Sequence, residues 1–197
     1  MDGGYDDDKS LIFNFGMTTP ITTTATTPRV IMAIRVAPSV DNNTTGLFGA
    51  KSTINRMQLA LDSLGLYTTG TGYLINLVLN GFASGAFSGT FVSPVQQAGG
   101  ITSSLAQIAL NTNAITVTGG ESVYAGYTNP TGVTTFDLTN VRDLGNSILG
   151  GGITNTIPTA QSGFYPDGPD ILYVVAVPLS ATSSTIQARL GWKEAQA

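Results

Sequence analysis

Few side chains in this sequence could do chemistry. Twelve acidic and eight basic residues stand among 197, with no histidine and no cysteine. Without histidine there is no Ser/His/Asp relay, and the commonest general base and metal ligand is missing. Without cysteine there is no thiolate nucleophile, disulfide framework or thiolate metal site. Carboxylate chemistry remains. Asp137 with Asp143, and Asp167 with Asp170, are the pairs that could flank one glycosidic bond, as sugar hydrolysis requires. Those residues lie beside turn-forming Gly, Pro and Asn, where Asp usually bends or caps the backbone. The expectation is that the chain is not an enzyme.

Hard cations take oxygen ligands from Asp, Asn and carbonyls. Asp6, Asp7 and Asp8, then Asp41 with Asn42 and Asn43, then Asp167 with Asp170, all offer such oxygen atoms in loop-like sequence. None has the spacing of a calcium-binding loop, so they read as solvated turn residues and no metal or cofactor is expected. The stretch GFYPDGPD at 163–170 is a candidate ligand loop, with Phe164 and Tyr165 beside Asp167 and Asp170. Its other reading is structural: Phe164 and Tyr165 cap the core while Pro and Gly shape the chain's entry into the next strand. If the protein binds sugar, stacking platforms are expected among Tyr124, Tyr127, Tyr165 and Trp192.

Composition narrows the partners. Charged residues are 10% of the chain, against roughly 25% in an ordinary soluble domain. Its polar surface must be largely neutral, and 28 Thr alongside 24 Gly supply it. Threonine is β-branched and suits a pleated, half-solvated surface. Scarce charge also fits a surface that spends its life against other subunits. A net charge of −4 with basic residues scattered singly argues against nucleic acid. No apolar run approaches the ~20 residues of a membrane span, so no membrane partner is expected.

The elements that must position these residues are mostly strands. Residues 1–10 read as a flexible, acidic arm, and 11–197 as one domain. LIFNF at 11–15, RVIMAIRVA at 29–37, ESVYAGY at 121–127, ILYVVAVPL at 171–179 and TIQARLGW at 185–192 have strand composition. ILYVVAVPL is apolar almost throughout, which predicts a central strand buried on both faces. Residues 18–27 read as an extended loop or edge segment between Pro20 and Pro28, and 104–110 with 114–118 as a hairpin. One short helix is expected near 140–149, capped by Asp137 or Thr139 and stopped by the glycines at 150–152. Nine or ten strands with turns between them and no βαβ rhythm predict a mainly β fold, an antiparallel β-sandwich of jelly-roll type.

The stretch at 54–81, INRMQLALDSLGLYTTGTGYLINLVLNG, reads as a long β-hairpin around a Thr/Gly turn. Its first arm also fits a helical stripe through Ile54, Met57, Leu61 and Leu64. In its second arm Leu74 and Val78 face away from Tyr73 and Leu77, so both faces are apolar and must be covered. In a two-layer sandwich the second cover is expected to be another subunit, which makes Leu74 and Val78 candidate interface residues.

Several stretches resemble virion structural proteins of tailed bacteriophages, above all those of marine cyanobacterial phages. They are GGYDDDKSLIFNF, RVAPSVDNNTTGLFGAKSTINRMQLALDSLG, NVRDLGNSILGGG, FYPDGPDIL and the closing ARLGWKEAQA. The resemblance implies residence in a virion, as a capsid decoration, a neck or baseplate piece, or a fibre module of the tail. It implies either the C-terminal module of a longer structural protein or a complete small one, and carries over no functional residues. The expected partners are a homo-oligomer of this chain and other virion proteins. The competing expectation is a carbohydrate- or receptor-binding jelly roll that takes a host-surface glycan.

Overall fold

A computed structural model describes residues 11–37, 58–85, 90–92, 94, 104–139, 148–149 and 170–195. Their strands are β1 (Leu11–Gly16), β2 (Ile21–Thr23), β3 (Arg29–Val36), β4 (Gln58–Thr69), β5 (Tyr73–Leu79), β6 (Phe82–Ala83) and β7 (Ala106–Leu110). They continue with β8 (Val117–Thr118), β9 (Glu121–Tyr127), β10 (Gly132–Asp137), β11 (Ile148–Leu149), β12 (Ile171–Pro178) and β13 (Ser184–Ala195).

Two antiparallel sheets face each other. The front sheet runs β1-β13-β4-β10, with β2 continuing β1 along β13 and β11 continuing β10 along β4. The back sheet runs β7-β3-β12-β5-β9, and β6 pairs with β8 in a separate ribbon. Taking β1 with β2 as the first line and setting aside β6, β7, β8 and β11, eight lines remain. Their order is 1-8-3-6 in front and 2-7-4-5 behind, the double Greek key of a jelly roll.

Alternation explains the core. From β4 come Leu59, Leu61, Leu64 and Leu66, from β5 Tyr73, Ile75 and Leu77, and from β13 Ile186, Leu190 and Trp192. All belong to one buried cluster, which Ile34 of β3 and Val174 of β12 join from the back sheet. Each large side chain buried this way is worth about 1.5–3 kcal/mol. Trp192 is fully buried and stacks on Phe13 with ring centroids 6.0 Å apart. β12 is central and covered on both faces, as its continuous apolarity predicts: Leu172, Val174 and Ala176 face the main core, and Tyr173 and Val175 a second cluster behind it.

Several expectations are corrected. The stretch at 54–81 is not a hairpin: of its described residues, β4 lies in the front sheet and β5 in the back, so the chain crosses the sandwich between them. β5 alternates throughout, β4 alternates on either side of a register shift between Leu61 and Ser63, and β4 is a strand rather than a helix. Periodicity states which side chains face inward, and two opposite walls of one core give the same pattern. The turn depends on Gly70, whose φ of +90° disfavours any side chain and whose added Cβ would sit 2.7 Å from the Ser183 carbonyl. Nor do residues 104–110 and 114–118 form a hairpin, since β7 pairs with β3 and β8 with β6.

The helix near 140–149 falls mostly outside the described residues, but its end is a strand. Ile148 and Leu149 form β11 and pair with Leu59 and Gln58. A β-branched residue beside the open edge of β4 gains ladder bonds there that a last helical turn before three glycines would lack. The expected cap bonds do exist, but they close a turn after β10. The Asp137 carboxylate accepts from the Thr139 N–H at 2.9 Å and its hydroxyl at 2.6 Å, and this holds the carboxyl below its ordinary range. The arm at 1–10 lies outside the described residues.

Candidate interaction surface

Four turns meet at one end of the sandwich, at residues 24–28, 70–72, 128–131 and 179–183. The registers place them together. Tyr67 of β4 pairs with Val133 of β10, and Thr69 with Thr185 of β13. On the back sheet Val177, Leu74 and Tyr127 form one row across β12, β5 and β9. Of six exposed large hydrophobic residues among those described, four lie here: Tyr67 (46% exposed), Tyr127 (66%), Val133 (68%) and Leu179 (53%). Residues 18–28, 67–74, 127–134 and 177–187, which build this end, include no Asp, Glu, Lys or Arg. Arg29 stands at its margin, where its guanidinium donates to the carbonyls of Thr22 (3.0 Å) and Thr112 (2.8 Å).

Hydroxyl groups hold these turns to one another. Thr68 donates to the Asn129 carbonyl at 2.8 Å, the Tyr73 N–H donates to Thr128 Oγ1 at 2.9 Å, and the Asn129 N–H to Thr134 Oγ1 at 3.1 Å. Ser180 donates to Thr71 Oγ1 at 3.0 Å, the Leu179 N–H to the Gly72 carbonyl at 3.0 Å, and the Thr69 and Thr185 hydroxyls lie 2.7 Å apart. The threonine-rich composition thus has a local purpose: neutral side chains satisfy turn backbone where a charged surface would otherwise do so. The exposed aromatic and aliphatic groups stand on a preorganised base, which lowers the entropy lost on docking.

The residues singled out in the sequence separate. Leu74 is half-buried at the centre of the Val177–Leu74–Tyr127 row. Val78, on the same strand, packs on the second cluster with Tyr173, Val175 and Ile115. Its cover comes from the chain itself, from the segment between β5 and β9 that contributes Ala83, Phe91, Ile115 and Val117. The premise that only a partner could cover both faces therefore does not hold at Val78. Asp170 accepts from Asn80 Nδ2 at 2.7 Å, and Asn80 Oδ1 accepts from the Ile171 N–H, so Asp170 ties the end of β5 to the start of β12. Phe164, Tyr165 and Asp167 lie outside the described residues, as does Asp143, so neither carboxylate pair has both members described.

Among the suggested stacking residues, Trp192 is buried and its indole N–H donates to Glu194 at 2.8 Å. Tyr124 is half-buried, edge-on to Phe136 at 5.5 Å. Among the described ones of the four, only Tyr127 presents an open ring. Among the described residues no three His, Cys, Asp or Glu gather as metal ligands.

Sequence reasoning missed Tyr67, Val133 and Leu179, because alternation marks them as outward-facing and nothing more. A signal for the neutral end was present: four turn segments lack charge in succession, although only the fold makes them neighbours. Glu194 was also missed. It is buried, and its carboxylate accepts from the Ser104 hydroxyl, the Leu105 N–H and the Trp192 indole, which fastens β13 to the entry of β7 across the two sheets. No family model, no curated protein and no solved structure matches this chain.

Proposed function

We propose that this protein is a structural subunit of a tailed-phage virion, a jelly-roll module that docks to neighbouring subunits through its uncharged end. The observation that carries the docking reading is that Tyr67 and Val133 on the front sheet and Tyr127 and Leu179 on the back stand exposed around one end without a charged side chain. Interface cores are depleted in charge and enriched in aromatics, and fully desolvated aromatic anchors dominate binding energy. A chain of net charge −4 meets other acidic copies most easily where charge is absent. The resemblance of the quoted stretches to virion proteins supplies the setting.

Mass spectrometry of gradient-purified particles from a lysate of the host tests the setting, with peptides of this chain expected at stoichiometric copy number. Their absence from particles overturns it. The docking end is tested by Tyr127→Asp combined with Leu179→Asp, which is expected to cut incorporation about tenfold, or 1.4 kcal/mol, with thermal unfolding unchanged.

A glycan-binding reading is favoured by one feature, the open ring of Tyr127 beside exposed Asn129 and Thr131. Binding to host-surface glycans that disappears in Tyr127→Ala, with incorporation intact, selects that reading instead.

A further inference from the structure

The two sides of the sandwich treat their strand edges differently. On one side the outer edge of β7 is occupied, because Val92 and Ile108 exchange N–H···O bonds of 3.1 and 2.8 Å. The front sheet on that side is broken between β1 and β2, with Pro20 in the gap. Short strands, proline and covering segments are the usual protections of an edge. On the other side, among the described residues, β9 and β10 both end their sheets. β10 is Gly-Val-Thr-Thr-Phe-Asp, without lysine, proline or a register shift against β4.

The hydrogen-bond phase shows which groups of β10 point outward. The Leu138 N–H donates to the Asp62 carbonyl of β4. Along a strand this direction alternates, so Phe136, Thr134 and Gly132 also face β4, and Val133, Thr135 and Asp137 aim N–H and C=O at the open edge. These same three residues have exposed side chains, while the others of the strand are half-buried.

We infer that two copies of this chain pair β10 with β10, antiparallel, about a two-fold axis at Thr135. In that register Thr135 faces Thr135 of the other copy, and Val133 faces Asp137. Every outward N–H and C=O of the three residues then has a partner, and exposed side chains lie over exposed side chains. The evenly spaced outward groups at 133, 135 and 137 complement a second copy of themselves, and charge selects the alignment. The single charge of β10 is Asp137 at its end, and Glu121 begins β9 at the same end of the molecule. A parallel copy would set these carboxylates side by side, whereas the two-fold separates them and lays each Asp137 against the neutral end of the other chain. The contact uses the backbone edge of β10, shares only Val133 with the docking end, and holds whether or not the protein resides in a virion.

Sedimentation velocity of the full chain over a range of concentrations tests this. A dimer is expected for the unaltered protein. Thr135→Pro removes an N–H that points outward and leaves the ladder to β4 intact, and Thr135→Lys sets two cations together at the axis. Each is expected to weaken the dimer at least tenfold, while Tyr127→Asp leaves it intact. Hydrogen exchange is the check independent of folding in the variants: the amides of Val133, Thr135 and Asp137 are expected to be protected in the dimer and to exchange on dilution. A monomer at every concentration overturns the inference. So does a dimer that persists in a folded Thr135 variant, or one in which those three amides exchange freely.

Discussion

Tyr73 of the back sheet and Thr23 of the front sheet meet oxygen to oxygen at 2.8 Å inside the sandwich. Ser184 completes a ring with them, 2.8 Å from Thr23 and 2.7 Å from Tyr73. Three buried hydroxyls, each donating to the next, satisfy one another without water. The ring lies just beneath the uncharged end, and couples β2, β5 and β13 where the docking residues stand. Tyr73→Phe removes two of its three bonds and leaves Thr23 and Ser184 with each other. Urea unfolding is expected to show a loss of about 1–3 kcal/mol, and a loss within error would dismiss the ring as a stabilising feature.

Leu74 and Val78 are expected to behave oppositely when each is changed to serine. Val78→Ser puts a hydroxyl into the second cluster and should lower stability by about 1–3 kcal/mol, read by chemical denaturation. Leu74→Ser lies half-buried in the outward-facing row with Tyr127 and Val177, and should weaken docking with less effect on unfolding. Equal loss of stability in both would remove Leu74 from the docking surface.

Glu194→Gln is expected to cost about 1–3 kcal/mol although it keeps the shape. One carboxylate oxygen accepts from Ser104 and Trp192, and the other from the Leu105 N–H. An amide must present its NH2 group to one of those donors. Trp192 fluorescence during unfolding reports the change directly, and an unaltered midpoint would refute it.

Alkaline pH is expected to act through Tyr173. Burial raises its phenol above the ordinary value, and the Arg35 guanidinium partly offsets this. The neutral phenol is favoured in the folded state, so this contribution is complete below the unfolded value of about 10 and is lost as pH rises through the folded one. Arg35→Met should push the phenol higher still, visible in a tyrosinate absorbance titration of that variant against one also carrying Tyr173→Phe. A downward shift would contradict the arrangement. Arg35 also lies 4.2 Å over the Phe91 ring and donates to Gln107, so the same change loosens the second cluster.

How much of this was legible in the sequence differs by level. Alternation placed Leu59 and Leu61 of β4, and Tyr73, Ile75 and Leu77 of β5, inward, since period two follows from backbone geometry. It did not show the register shift after Leu61 that turns Leu64 and Leu66 inward instead of Ser63 and Gly65. The unbroken apolarity of β12 revealed a strand with both faces covered. Composition revealed a neutral, threonine-rich surface. The pairing of strands was not legible, because β4 and β5 feed one core from opposite walls and leave the same trace as a hairpin.

The sequence by itself therefore determined that this is a β-sandwich whose surface avoids charge and whose residues offer no His- or Cys-based chemistry. Only the tertiary structure decided that four uncharged turns, more than 150 residues apart at the extremes, form one end. It also decided that Val78 is covered by its own chain while Leu74 lies outside that cover. The physical reason is the same in both cases. Local backbone preference sets the direction of each side chain, whereas its neighbours are set by crossings between sheets that no short stretch encodes.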